Sequence, residues 1–202
     1  MMDIGVLGGT FDPIHNGHLK IADYAIVKLG LERVLFVPAG QPWLKGHRFI
    51  ASGTQRLEMV RLAIGSNSYF AISTVDLDRK GPSYTEDTLR ELMRELGESV
   101  NLYFIVGIDA LAELPTWRHP DRIIDMCHLV VMKRPISATI DMESLERSVP
   151  GITQRSIFLD NPPVDISSTA IRKRVASGLA ITDLVPEAVE RYIGEHALYV
   201  AA

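Results

Sequence analysis

The segment Gly8-Gly9-Thr10-Phe11-Asp12-Pro13-Ile14-His15-Asn16-Gly17-His18 constrains the fold of this chain more than any other stretch. Ahead of it, Ile4-Gly5-Val6-Leu7 is apolar enough for a buried strand. Behind it, Leu19 to Val27 carries apolar residues at helical spacing. The segment is therefore a strand-to-helix turn. Such a turn presents backbone N–H groups and the positive end of a helix dipole to an anion, and its glycines let a ligand approach the main chain. His15 and His18, three apart, project from nearly one side of the first helical turn into the same place. This arrangement reads as a nucleoside triphosphate site. Zinc does not fit, because the sequence offers no matching pair of further His, Cys or carboxylate ligands.

The rest of the chain repeats the alternation. Strand candidates are Asp3 to Leu7, Arg33 to Pro38, Phe70 to Val75, Leu102 to Val106, His128 to Met132 and Ser156 to Leu159. Helical patterns begin between them near Gly17, Thr54, Tyr84, Asp109 and Met142. Ser83-Tyr84-Thr85-Glu86 has the spacing of a capping box. The expectation is an α/β, Rossmann-like, doubly wound and mostly parallel sheet with helices on both faces. Ligands should gather outside the carboxyl ends of its strands. With 202 residues and no linker or repeat, the chain reads as one domain, 1–202, whose stretch 165–202 is a small helical part with helices near Ser168 to Ser177 and Pro186 to His196.

The first of those two helices opens with Ile166-Ser167-Ser168-Thr169-Ala170-Ile171-Arg172. Its hydroxyls are good N-caps. A second exposed helix start is also a second anion site, and Arg172 lies one turn on from Ser168, within reach of the same phosphates.

Charge and cysteine content exclude other classes. The net charge is −4 with the basic residues dispersed, so nothing favours nucleic acid or an anionic membrane. No apolar run approaches the ~18 residues of a spanning helix, and a cytoplasmic location is expected. Cys127 is the only cysteine and opens an apolar run with His128, which marks it as a buried structural thiol.

The two motifs together, GGTFDPIHNGH near the start and Ile-Ser-Ser-Thr-x-Ile-Arg near the end, resemble the two signatures of the nucleotidyltransferase superfamily. Within it the chain is similar, nearly end to end, to the bacterial nicotinate mononucleotide adenylyltransferases. Gln41-Pro42-Trp43-Leu44-Lys45, Gly81 to Leu89, Gly107 to Leu111 and Leu114 to Trp117 extend the likeness. The family's usual Pro-Pro-His-Lys is replaced by Pro42-Trp43-Leu44-Lys45, and Arg118-His119-Pro120 stands where aromatic residues often follow the tryptophan.

The resemblance implies adenylyl transfer from ATP to nicotinate mononucleotide in NAD biosynthesis. It makes His15, His18 and Arg172 the catalytic set and assigns Gly8, Gly9, Thr10, Phe11, Gly17, Asp109, Ser168 and Thr169 to ATP. Lys45, Thr85, Trp117, Arg118 and Arg134 fall to the mononucleotide. Mg²⁺ is expected to arrive with ATP, because no dedicated carboxylate cluster is evident. Self-association into a homo-oligomer stays open.

Each residue also has a local reading. Trp117 suits a core or a stacking platform, Asp109 a helix cap or a ribose ligand, and Arg118 solvent or the pyridine ring. Lys45, Arg56 and Arg134 could be solvated charge. Two other readings of the whole chain are a relative with another acceptor, nicotinamide mononucleotide or pantetheine phosphate, and a silent nucleotide-binding module.

Overall fold

A computed structural model describes residues 1–41, 51–97, 99–133, 140–160 and 166–200. Six strands form one sheet: β1 (Met2–Gly9), β2 (Arg33–Pro38), β3 (Phe70–Ile72), β4 (Val100–Gly107), β5 (Cys127–Lys133) and β6 (Ser156–Asp160). Between them run α1 (Asn16–Leu29), α2 (Gly53–Ile64), α3 (Val75–Asp78), α4 (Thr85–Leu96), α5 (Ile108–Glu113), α6 (Pro120–Met126), α7 (Met142–Ser148) and α8 (Ile152–Arg155). After β6 come α9 (Ser168–Ala176) and α10 (Glu187–Glu195).

The strand order is β3-β2-β1-β4-β5-β6, and every pairing is parallel. The direction of winding reverses at β1, with β2 on one side and β4 on the other. A crevice therefore opens outside the carboxyl ends of β1 and β4, between Gly8-Gly9 and Gly107.

Side chains alternate along the strands and feed two apolar layers. Ile4, Val6, Leu35, Val37, Leu102, Phe104, Leu129 and Val131 pack with Leu89, Leu92, Leu111, Ile123 and Leu145 on one face. Leu7, Val34, Phe36, Ile105, Val130 and Met132 pack on the other with Ala22 and Ala25 of α1, Met59 and Val60 of α2, Ile171 of α9 and Ile193 of α10. Burial on both faces is why the strands are apolar runs rather than alternating ones. It also draws the carboxyl-terminal helices onto the side of the sheet that carries α1. Each fully buried Val, Leu, Ile or Phe contributes about 1.5–3 kcal/mol relative to exposure.

Two local expectations are corrected. The third strand ends at Ile72 rather than Val75, because Val75 begins the short helix α3, where it packs on β2. The Ser83–Glu86 capping box does not form: Tyr84 is the N-cap of α4 without a side-chain bond, and Ser83 Oγ instead accepts the Gly40 N–H at 2.9 Å. A tertiary partner from the turn after β2 has displaced the local one. Cys127 is 2% exposed, its thiol donates to the Ile123 carbonyl, and burial pushes it up to about 12, as an inert structural thiol requires.

Candidate active site

The turn after β1 is held from several directions. Phe11 has φ of 50° and is 2% exposed, with its ring edge-on to His18 at 5.1 Å and tilted against Phe36. That ring lies so close to Gly9 that a Cβ there would stand 3.0 Å from its Cε1, so a side chain at the second glycine of the motif would press on the buried Phe11 ring. Gly8 is exposed at the end of β1, open to the crevice.

His15 is the N-cap of α1 and His18 its third residue, and the two rings stack with centroids 3.7 Å apart. The His15 backbone N–H donates to His18 Nδ1 at 3.2 Å. An accepting Nδ1 places the proton of neutral His18 on Nε2, as a donor. His15 is 6% exposed, its Nδ1 is buried with no hydrogen-bond partner among the described residues, and burial lowers its pKa to about 4. It is a neutral imidazole near pH 7.

That depressed value makes stability depend on pH. Between pH 6.5 and 4 the unfolded chain binds the His15 proton and the folded chain does not, so the penalty is absent above 6.5 and grows as pH falls towards 4. Its full size is about 3 kcal/mol. Denaturant unfolding from pH 7 to 4 is expected to show His15→Gln losing less stability than wild type, and parallel losses would show that His15 is not buried neutral.

Arg172, on α9, reaches across 160 positions of sequence to donate from Nη1 to the Asp12 carbonyl at 2.7 Å. The same nitrogen lies 3.7 Å from Asp12 Oδ2, and Nη2 donates to Thr169 Oγ1 at 3.3 Å. Ser167 is the N-cap of α9, accepting from the Ala170 N–H. Ser168 Oγ donates to the Pro13 carbonyl at 2.9 Å, so this hydroxyl ties α9 to the turn. The two sequence motifs thus meet beside His15 and His18.

Arg56 overturns its reading as solvated charge. It is 2% exposed and donates to the carbonyls of Thr10 (2.7 Å), Ala51 (3.1 Å) and Gly40 (3.3 Å). One guanidinium thereby joins the turns after β1 and β2 to the start of α2. Gly40 is confined as well, because a Cβ there would fall 2.1 Å from the Asp76 carbonyl oxygen. Asp12, 3% exposed, was given no role of its own by sequence. Its Oδ1 accepts from the Ala51 N–H at 3.0 Å and from the Tyr199 hydroxyl at 2.7 Å. No pattern in the sequence marks Tyr199 for this contact.

On the other side of the crevice, Gly107 is the N-cap of α5, so exposed Asp109 lies in the first turn of that helix and is not its cap. Thr85 is the first residue of α4, and the first bond of that helix runs from the Thr88 N–H to the Tyr84 carbonyl. The N–H groups of residues 85–87 therefore have no partner within the helix. Trp117 is half-buried, edge-on to Phe104, and its Nε1 is buried with no hydrogen-bond partner among the described residues. The neighbouring Arg118 is tied to carboxylates: Nη1 donates to Asp87 Oδ2 at 3.1 Å, Nε lies 3.8 Å from Glu86 Oε2, and the guanidinium covers the Tyr84 ring. Arg90 and Arg122 also pair with Glu86, and Arg90 with Asp87. Lys45 and Arg134 lie outside the described residues. Among the described residues no group of three or more His, Cys, Asp or Glu is placed to hold a metal ion, and no helix is long and apolar enough to cross a membrane.

A model of the cytidylyltransferase-like family matches residues 6–174. A protein of Dehalococcoides mccartyi, named a probable nicotinate-nucleotide adenylyltransferase, is 45% identical over 96% of this chain and 96% of its own length. One of Roseiflexus sp. with the same name is 48% identical over 97% of each. In fold, the chain is similar to a nicotinic acid mononucleotide adenylyltransferase of Plasmodium falciparum, complexed with APC, at a TM-score of 0.77 and 19% identity over 98% of each chain. The structure of that protein complexed with NaAD superposes with a TM-score of 0.78.

Proposed function

Because this chain belongs to the cytidylyltransferase-like family, and within it to the nicotinate-nucleotide adenylyltransferases, we propose that its crevice joins ATP to nicotinate mononucleotide. The reaction forms nicotinate adenine dinucleotide and pyrophosphate, a step of NAD biosynthesis. The observation that carries this reading is the stacked His15–His18 pair, met by Arg172 from the far end of the chain at the point where the sheet reverses its winding.

The acceptor's 5'-phosphate oxygen attacks the α-phosphorus of ATP in line. A P–O bond forms there, the bond to the β-phosphate oxygen breaks, and pyrophosphate leaves with the electron pair. No enzyme nucleophile is needed, so the protein positions the reactants and stabilises charge on the phosphate oxygens. His18 donates from Nε2 to the α-phosphate as its charge grows. Neutral His15 hydrogen-bonds the phosphate chain. Arg172 and the helix start at Ser168 and Thr169 hold the β- and γ-phosphates.

Backbone groups of Gly8, Gly9, Thr10 and Phe11 line the nucleotide crevice, Gly17 leaves room for adenosine, and Asp109 binds its ribose. Mg²⁺ enters as part of the ATP substrate, with a shell of phosphates and water; Asp12, the carboxylate within the turn, already accepts two donors on Oδ1 and faces the Arg172 guanidinium. The protein acts in the cytoplasm, as one domain that includes the helical part 165–202.

Trp117 stacks on the pyridine ring of the mononucleotide, with Thr85 at its edge, and Lys45 and Arg134 are further residues assigned to this substrate. The ring carboxylate accepts from the N–H groups at the start of α4, where the helix dipole favours an anion. A carboxamide would set its own N–H₂ against those donors. Arg118 shapes this wall through Asp87 and adds little charge of its own.

The test is pyrophosphate release with ATP and each acceptor in turn. We expect kcat/KM for nicotinate mononucleotide to exceed that for nicotinamide mononucleotide by roughly 10-fold or more, the value of one charge-assisted hydrogen bond, with no turnover of pantetheine phosphate. Equal kcat/KM for the two pyridine nucleotides would overturn the nicotinate assignment. ATP binding without pyrophosphate release from any acceptor would mark a silent nucleotide-binding module.

A further inference from the structure

We propose that the carboxyl-terminal segment is a clamp on the phosphate-binding turn and that Tyr199 is its latch, a positioning residue that acts on ATP through Asp12 and Arg172. The inference rests on the reading of this turn as the triphosphate site.

Residues beyond α9 grip the turn at two places. The Asn16 backbone N–H donates to the Leu184 carbonyl at 2.9 Å, and its side-chain amide donates to the Asp183 carbonyl at 2.8 Å. Tyr199, near the end of the chain, donates its hydroxyl proton to Asp12 Oδ1 at 2.7 Å. Phe11, Asp183 and Tyr199 all have positive φ, of 50°, 44° and 64°. For Phe and Tyr such angles are uncommon, and here the two lie on opposite sides of one junction.

Asp12 is the hub of that junction. A carboxylate only 3% exposed must be met by donors, and it has the Ala51 N–H and the Tyr199 hydroxyl on Oδ1, with the Arg172 guanidinium 3.7 Å from Oδ2. That last separation is too long for a hydrogen bond, so Arg172 keeps donor capacity for a phosphate. The neutral phenol maintains this balance. Without it Asp12 lacks a donor; Arg56, the other cation facing Asp12, is already bound to three carbonyls, so Arg172, 3.7 Å from Oδ2, is the cation left to turn from the nucleotide to the carboxylate. The latch thus keeps a cation available for ATP and plays no part at the pyridine end of the crevice.

The experiment is Tyr199→Phe in the full chain, with Tyr192→Phe, also in the carboxyl-terminal segment, as control. Removing one oxygen leaves the ring in its place. Relative to wild type, Tyr199→Phe is expected to lower kcat/KM for ATP roughly 10-fold, the weight of one hydrogen bond to a charged group, with KM for the mononucleotide unchanged. Calorimetry with ATP alone should show a matching loss of affinity, and hydrogen exchange should speed up at residues 8–16. Tyr192→Phe should behave as wild type. The latch is overturned if Tyr199→Phe binds ATP as wild type does, or if KM rises equally for both substrates, as a merely loosened fold would cause. If wild type fails to adenylylate nicotinate mononucleotide, the functional reading falls by itself, and the ATP calorimetry still decides the latch.

Discussion

Replacing His18 with alanine is expected to lower kcat by roughly 10² to 10³ at saturating ATP and mononucleotide, the scale set by loss of one preorganised donor to a developing oxyanion. The position of one proton sets this effect. His18 Nδ1 is occupied by the His15 N–H, so the proton of the neutral ring is held on Nε2, and it need not change tautomer when charge builds on the α-phosphate. The ring is further fixed by the His15 stack and the edge of Phe11. Because the donor acts on charge that grows in the transition state, the loss should fall on kcat more than on KM for ATP. His18 is only half-buried, so the variant should fold with a wild-type circular dichroism spectrum. A folded His18→Ala enzyme with wild-type kcat would remove this residue from the chemistry.

The largest effect on stability is expected from Arg56. Arg56→Leu leaves the carbonyls of Thr10, Gly40 and Ala51 without their donor in a place solvent barely reaches. Removing one side of a buried charged network costs about 3–5 kcal/mol. At roughly 2–4 °C per kcal/mol for a chain of this size, the melting temperature should fall by about 6–20 °C. Arg56→Lys should recover little, since one ammonium cannot span three carbonyls on three segments. Scanning calorimetry decides the matter: a Leu variant within about 1 kcal/mol of wild type would mean that water satisfies those carbonyls in place of the guanidinium.

Arg56 also shows where reading a sequence stops. Its neighbours in the chain, Gln55 and Leu57, say nothing of a partner at Thr10, which lies 46 positions away. The turn at Gly8–His18 was legible because every part of it is local: an apolar run, glycines, then helical periodicity. The inner strands β1, β2, β4 and β5 were visible for the same reason, since burial on both faces leaves an apolar run whatever the neighbours are. The third strand was overextended because Val75 is apolar in α3 as it would be in a strand. The resemblance of the two motifs implied that they act together, without giving the contact that joins them.

The sequence by itself determined the α/β alternation, the strand-to-helix turn at Gly8–His18, the pair His15 and His18, and the helix start at Ser167–Thr169, because propensity, capping and period act over a few residues. Only the tertiary structure decided which charges are buried and whom they meet. Arg56 went inside and Arg118 was paired with Asp87, although each is an arginine between one polar and one apolar neighbour. Asp12 became a hub joined to Tyr199 across 187 positions. Such choices follow from which segments the sheet order brings to one crevice, where an unpaired buried group costs several kcal/mol. That cost depends on distance in space, which composition and spacing along a chain do not encode.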